Sequence, residues 1–386
     1  MQCHNFNKDW TFEKADQADR LKAFYGNSNA VAVTLPHDAM IREKRDKDCP
    51  SGAQSGFYPG GVYTYEKKFM AQYEWKKQDV FLEFEGIYGI ARVWINGSLA
   101  AVNRNGYMGF SVDLKPWISY EHDNIIRIDV DNSKQPNSRW YSGSGIYRDV
   151  NLWTGKDVYI SHDKLRITTL SVNDDMAVIE VCAQLKNIIG HGLEAECLIE
   201  IKKDGQKTAS DTQRVVFRSE QMQTVRVQIP IEHPKKWSPK QPALYECHIT
   251  TKFDDKICDE AVSNFGIRVL ALDPVHGLQI NGETVKLRGT CIHHDNGVIG
   301  AETFKEAEWY RCKRLKEAGF NAIRSAHHPM SRAMLDACDH IGILVMDELT
   351  DMWDKEKNTY DFSDIFEDEY NQWINHMVEK DYNNPS

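Results

Sequence analysis

Three short apolar runs in the last third of the chain each finish in side chains that can hold charge or move protons. VKLRGTCI is followed by His293, His294 and Asp295; NAIRSA carries Arg324 and is followed by His327 and His328; ILVM is followed by Asp347, Glu348 and Asp351. Imidazole, guanidinium and carboxylate groups suit two tasks: fixing a hydroxyl-rich or anionic ligand, and acid–base catalysis. A single histidine or aspartate at a strand end is as well explained by capping or local hydrogen bonding. Three successive clusters point instead to a functional face. The two His-His pairs raise a metal site, but they lack the HExxH spacing, and adjacent strand residues face opposite ways. The same alternation keeps Asp347 and Glu348 from flanking one bond, so both are read as pocket support. Ser142-Gly143-Ser144-Gly145 lacks the GxSxG spacing of a serine nucleophile and reads as a tight turn.

Parallel β/α units would bring these clusters together, because their functional groups gather at the C-terminal ends of the strands. The order strand, helix, strand, helix, strand over residues 286–346 fits such units, with a continuous apolar third strand suited to burial on both faces. Thr303 to Glu306 has capping-box spacing for the first helix, Ser331 opens the second, and Gly319 and Gly342 close them. Upstream, the chain is β-rich throughout. From Asn5 to Gly155, runs such as VYTYEKKF, DVFLEFEG and NIIRIDVD alternate with turns, and Asn96-Gly97 marks a hairpin. Its many aromatic residues, Trp10, Tyr63, Tyr65, Trp94 and Trp140 among them, are mostly core, with one or two left to stack on a sugar. The block from 156 to 269 has the strand spacing of an immunoglobulin-like sandwich, with Asp204-Gly205 at a hairpin and no catalytic cluster.

The chain has 386 residues, a formal net charge of −10 and nine cysteines without a CxxC pair. Its length predicts two or three domains, and its charge argues against a nucleic-acid partner. The cysteine pattern suggests neither a disulfide framework nor a zinc ribbon. The sequence predicts no membrane span, and MQCHNFNKDW lacks a signal-peptide core. The compartment is therefore cytoplasmic, or else periplasmic or secreted if an upstream signal was removed.

The stretch NAIRSAHHPMSRAMLDACDHIGILVMDE, Asn321 to Glu348, resembles the barrel signature of the family 2 glycoside hydrolases, which include β-galactosidases, β-glucuronidases and β-mannosidases. Further likeness lies at LPHD (Leu35 to Asp38), Gly60 to Tyr65, SRWYSGSGIYRD (Ser138 to Asp149) and LRGTCIHHDNGVIG (Leu287 to Gly300). The resemblance implies a jelly-roll sugar-binding domain over 1–155, an immunoglobulin-like sandwich over 156–269, and the first three β/α units of a TIM barrel over 270–386. It implies a retaining hydrolase of terminal β-linked sugars, most like a β-galactosidase from the segment DELTDMWDK. A glucuronidase, a mannosidase or a non-catalytic sugar-binding fragment are the alternatives.

The resemblance assigns Arg324, His327 and His294 to the sugar pocket, with Asp131 or Asn132 at its rim and an Asx turn as their alternative. His328 stands where a tyrosine is frequent. The family's acid/base glutamate follows an Asn-x-Pro-Ser segment like Asn383 to Ser386, and its nucleophile comes later. The resemblance thus implies that both lie past Ser386, that the third strand keeps an open edge, and that this chain alone does not hydrolyse. It implies no cofactor here; the Mg²⁺ some members use would be bound beyond residue 386, and members often form homo-oligomers.

Overall fold

The computed structural model of the protein describes residues 1–15, 30–218 and 221–386. Two antiparallel sheets make the first domain. One has four strands, in the order Gln2–Asn5, Val150–Gly155, Asp79–Phe84 and Phe110–Asp113. The other has six, running Val31–Val33, Trp10–Lys14, Val62–Phe69, Asn124–Asp131, Ile90–Ile95 and Ser98–Asn103. Strict alternation drives this packing: Ala91, Val93 and Ile95 point inward from one strand and Ile126, Ile128 and Val130 from its neighbour, all fully buried. Asn96 and Gly97 take φ of 50° and 83°, the left-handed pair that a type I′ hairpin requires.

The second domain packs a three-stranded sheet (Val158–Val172, Met176–Asn187, Met222–Glu232) on a four-stranded one (Gln206–Phe217, Leu193–Lys203, Tyr245–Phe253, Lys256–Phe265). Its core is aliphatic, built on residues such as Val181, Ile199, Ile229 and Ile249.

A small antiparallel meander (Leu270–Asp273, Gly277–Ile280, Glu283–Thr284) leads into three parallel strands, Gly289–Ile292, Ala322–Ser325 and Leu344–Met346. Helices Lys305–Glu317 and Arg332–Ile341 connect them, and a third helix, Ser363–Asp381, follows. Ser331 caps the second helix through Met334 N, and Gly342 closes it in the left-handed region. Three expectations need correction. The first helix has no capping box, because Thr303 Oγ1 donates to Ala301 O instead and Phe304 holds the cap position. The 19-residue third helix was not foreseen. The third strand's edge is not wholly open either, since Val345 N donates to Ser386 O.

The domains are joined by buried polar contacts. Asp38, fully buried, accepts from Met40 N, Ser144 N, Ala301 N and the Tyr141 hydroxyl, fastening two jelly-roll loops to the loop after the first barrel strand. Arg148 donates to Pro329 O, and Trp237 of the second domain donates to Asp339 O. Arg332 of the second barrel helix pairs with Asp163 and Glu83, one from each sandwich. No helix among the described residues is long and apolar enough to cross a membrane.

Candidate functional site

Parallel register sets Cys291, Arg324 and Met346 side by side on the three barrel strands. From the middle strand, Arg324 pairs through Nε with Glu348 Oε1, and its Nη1 reaches the Cys291 thiol at 3.7 Å. His327 Nδ1 stands 3.2 Å from Glu348 Oε2 and 3.5 Å from Arg324 Nη2. Glu348 thus holds both neighbours at once. The Arg324 side chain remains 44% exposed, so part of its donor fork faces open space. Its bond to Glu348 raises an already high guanidinium pKa, keeping the charge fixed at any working pH. Trp140, from the jelly-roll loop, stacks on His293 at 5.4 Å with 13° between planes, and its ring lies 5.2 Å from that of His327. The result is an aromatic wall beside a charged triad, the pairing of apolar face and directed donors that sugars require.

Behind this wall the histidines do something else. His294 is 4% exposed; its Nε2 lies 2.8 Å from Ser142 O and its Nδ1 3.1 Å from His328 Nε2. A carbonyl accepts only, so His294 Nε2 carries the proton and donates to Ser142 O. His328 in turn stacks on Tyr107 at 3.9 Å and 6°. Both rings are neutral, since burial holds His294 down to about 3 and His328 well below the usual imidazole range.

This corrects the expectation for His294: both its nitrogens are spent inside the protein, and it belongs to the wall. His293 is the half-buried member of that pair, with Nδ1 donating to Ala326 O at 2.5 Å. Asp347 also departs from its expected place. It turns away from Glu348, accepting from Met330 N at 3.0 Å, with Oδ2 buried and unpartnered, and burial raises its pKa despite nearby Lys380. Asn132 is 2% exposed, and its amide donates to Ser144 Oγ and Gly143 O, so it braces the glycine turn. Asp131 accepts from Ser133 N and Oγ, the local Asx arrangement, and borders a separate cleft. Arg324, His327 and Glu348 come together; His294, Asp347, Asp131 and Asn132 do not join them.

Ser142 and Ser144 are both buried, with their hydroxyls engaged locally, as a turn demands and a nucleophile would not be. The four strand-end histidines do not converge as ligands. Glu83, His162 and Asp163 come close enough to do so at the domain junction, but the guanidinium of Arg332 already lies against Glu83 and Asp163. Sequence reasoning placed Asp351 in the third strand-end cluster and Trp140 among the aromatics, but gave neither its partner. Arg139, next to Trp140, forks onto Asp351 with three bonds of 2.6 to 3.0 Å, and Lys357 adds a fourth. The signal lay in the SRWYSGSG motif itself.

The buried ionisable groups predict an unusual acid profile. Below pH 6.5 an unfolded chain takes up protons that His294, His328 and His37, the last held by burial to about 4, refuse while folded. Stability therefore falls with pH, by about 1.4 kcal/mol per unit per group. Burial instead raises Glu85 to about 7 and Asp339 to about 6, and raises Asp347 as well. These folded carboxyls keep protons that the unfolded chain releases near 4, so their contribution grows as pH falls through that window. The opposing trends offset between about pH 4.5 and 6. Lower down, Glu83 joins the histidines: burial would raise it, but the bond to His162 and the charge of Arg332 bring it to about 2. Thermal melting should shift little between about pH 4.5 and 6 and drop steeply below about 4.5. A steep continuous loss starting at pH 6.5 would contradict this balance.

Three family models match in succession. Residues 10–156 match the glycosyl hydrolase 2 galactose-binding domain-like model, 158–268 the glycosyl hydrolases family 2 model, and 275–386 the glycosyl hydrolases family 2 TIM barrel domain. Among curated proteins, the chain is 32% identical to the beta-galactosidase BoGH2A of Bacteroides ovatus, over 99% of this chain and 45% of that protein. It is 29% identical to a putative beta-glucuronidase of Formosa agariphila, over 99% of this chain and 36% of that protein. Among solved structures, a family 2 member from Bacteroides cellulosilyticus superposes with TM-score 0.95 at 32% identity, covering all of this chain and 51% of that one. A beta-glycosidase from Bacteroides vulgatus gives 0.90 at 31% identity, again covering all of this chain and 49% of the other. The chain spans between about a third and a half of the length of these relatives.

Proposed function

Because the chain belongs to glycosyl hydrolase family 2, we propose that it supplies the sugar-holding wall of a retaining exo-glycosidase that removes terminal β-D-galactosides. The observation that carries this reading is the Arg324–Glu348–His327 triad at the strand ends beside the Trp140–His293 stack. An arginine and a histidine held on one carboxylate are preorganised donors for sugar hydroxyls, and the buried Trp140 ring backs the half-buried His293 beside them. Arg324 and His327 bind; Glu348 positions them. In this reading His293 takes the substrate-facing place expected of His294.

Cleavage needs two carboxyl groups about 5 to 5.5 Å apart, one attacking and one protonating. The carboxylates near the triad do not supply such a pair. Both oxygens of Glu348 are engaged, Asp347 faces the other way, and Asp351 is held by Arg139 and Lys357. We therefore assign the acid/base and the nucleophile to polypeptide outside these 386 residues.

The whole protein should release 4-nitrophenol from its β-D-galactoside with retained anomeric configuration, and the purified 386-residue chain should give no turnover above background. Robust turnover by the chain alone would overturn the division of labour. Relatives carry both galactosidase and glucuronidase names. Cleavage of the aryl glucuronide but not the galactoside would replace the sugar while leaving the mechanism.

A further inference from the structure

We propose that the cleft between the jelly roll and the barrel is a second saccharide site, specific for a sugar unit bearing a carboxylate or sulfate group. This rests on the glycosidase reading only for the class of ligand. The cleft has a volume of about 310 Å³, and none of Arg324, His327 and Glu348 lines it. Two aromatic layers separate it from the strand-end wall: the ring of Tyr88, which lines the cleft, lies 5.1 Å from Tyr107, which stacks on His328.

Three cationic side chains line this cleft beside three carboxylates, and the cations are the less hydrogen-bonded of the two sets. Arg92 projects from the outer face of strand Ile90–Ile95 and has no hydrogen-bond or ion-pair partner among the described residues. Its cross-strand neighbour is Asp129, whose Oδ1 is already taken by Thr64 and Arg127. Arg104 meets Glu369 only at 3.5 Å. The Lys134 ammonium sits 5.9 Å above the ring of Tyr360, a residue 45% exposed.

The acids of the cleft are more fully occupied. Asp361 accepts four bonds, from Lys357 N, Asn358 N, and Ser363 N and Oγ. Asp131 is bound to Ser133, which leaves Asp364, in the first turn of the third barrel helix, as the exposed carboxylate. That helix start also directs its positive end toward the cleft wall.

An open guanidinium fork fits the paired oxygens of a carboxylate or sulfate, which a neutral hydroxyl does not match. The exposed ring of Tyr360 gives the wall an apolar face on which a sugar ring can lie. A bare inorganic anion would leave most of this volume unfilled.

The test is calorimetry on the whole enzyme with methyl β-D-glucuronide, galactose 6-sulfate and neutral methyl β-D-glucoside. The anionic probes should bind, and Arg92→Gln should weaken them at least about tenfold, with Arg92→Lys intermediate, while aryl β-galactoside kcat/KM and melting temperature stay unchanged. Binding of only one anionic probe supports the proposal and identifies the group recognised. Equal binding of the neutral glycoside, no binding of either anion, or anion binding indifferent to Arg92→Gln overturns it. A glucuronide held at the strand-end pocket would show that last pattern. Arg92-dependent binding in an enzyme that cleaves no galactoside would sink the activity reading and leave the cleft standing.

Discussion

Arg324→Ala in the whole enzyme is expected to lower kcat/KM on an aryl galactoside by about a hundredfold or more. Two losses add together. The substrate loses a charged donor fork, and Glu348 loses the partner that holds it in place, freeing His327 as well. A displacement of about 1 Å in substrate or catalytic-group geometry can by itself cost about a hundredfold in rate. Glu348→Gln separates the two effects. It leaves Arg324 to meet substrate but cannot orient it by charge, so kcat should fall further than KM rises. Wild-type kcat/KM in Arg324→Ala would remove the triad from the mechanism.

Asp38→Ala should be the most damaging substitution to folding in the first domain, at about 4 kcal/mol. Its carboxylate satisfies three backbone N–H groups and the Tyr141 hydroxyl, all in a dry junction. Each orphaned donor costs about 1–3 kcal/mol, less what water can recover. Asp38→Asn keeps the shape but puts an amide donor against other donors, so it should recover little. Gly145→Ala is a control for the same joint: at φ 99° a Cβ would lie 2.1 Å from the Tyr65 hydroxyl. Chemical denaturation of the three variants would measure the effect; an Asp38→Ala midpoint equal to wild type would refute it.

What the sequence disclosed depended on how local the physics was. The turns at Asn96-Gly97 and Asp204-Gly205 were legible because two adjacent positive φ angles admit few residue types. Ser331 was legible as a cap for a similar reason. The third barrel helix was not, because Phe362 gives it no side-chain cap and its buried stripe is thin, with Ile365 and Trp373 as the buried residues. His293 and His294 could not be told apart, since the strand stops at Ile292 and alternation gives no parity beyond its last residue. The partner that resolves them, Ser142 O, is 152 residues away. Asn132 escaped in the same manner, since nothing local says that its amide will brace a turn eleven residues on, whereas the Asx turn at Asp131 was the alternative already open to it. Asp38 stood inside a recognised motif, yet its role as a joint required the positions of Ser144 and Ala301.

That joint has a consequence for anyone recombining these proteins. The wall behind the strand-end triad is built by both partners, with His294 of the barrel anchored on Ser142 of the jelly roll and Asp38 spanning the seam. Exchanging barrels between relatives at the domain boundaries would part His294 from its carbonyl and the Ala301 loop from its carboxylate. A chimera that preserves the pocket must inherit residues 35–42 and 138–148 along with the barrel, so the heritable unit of specificity crosses the domain border.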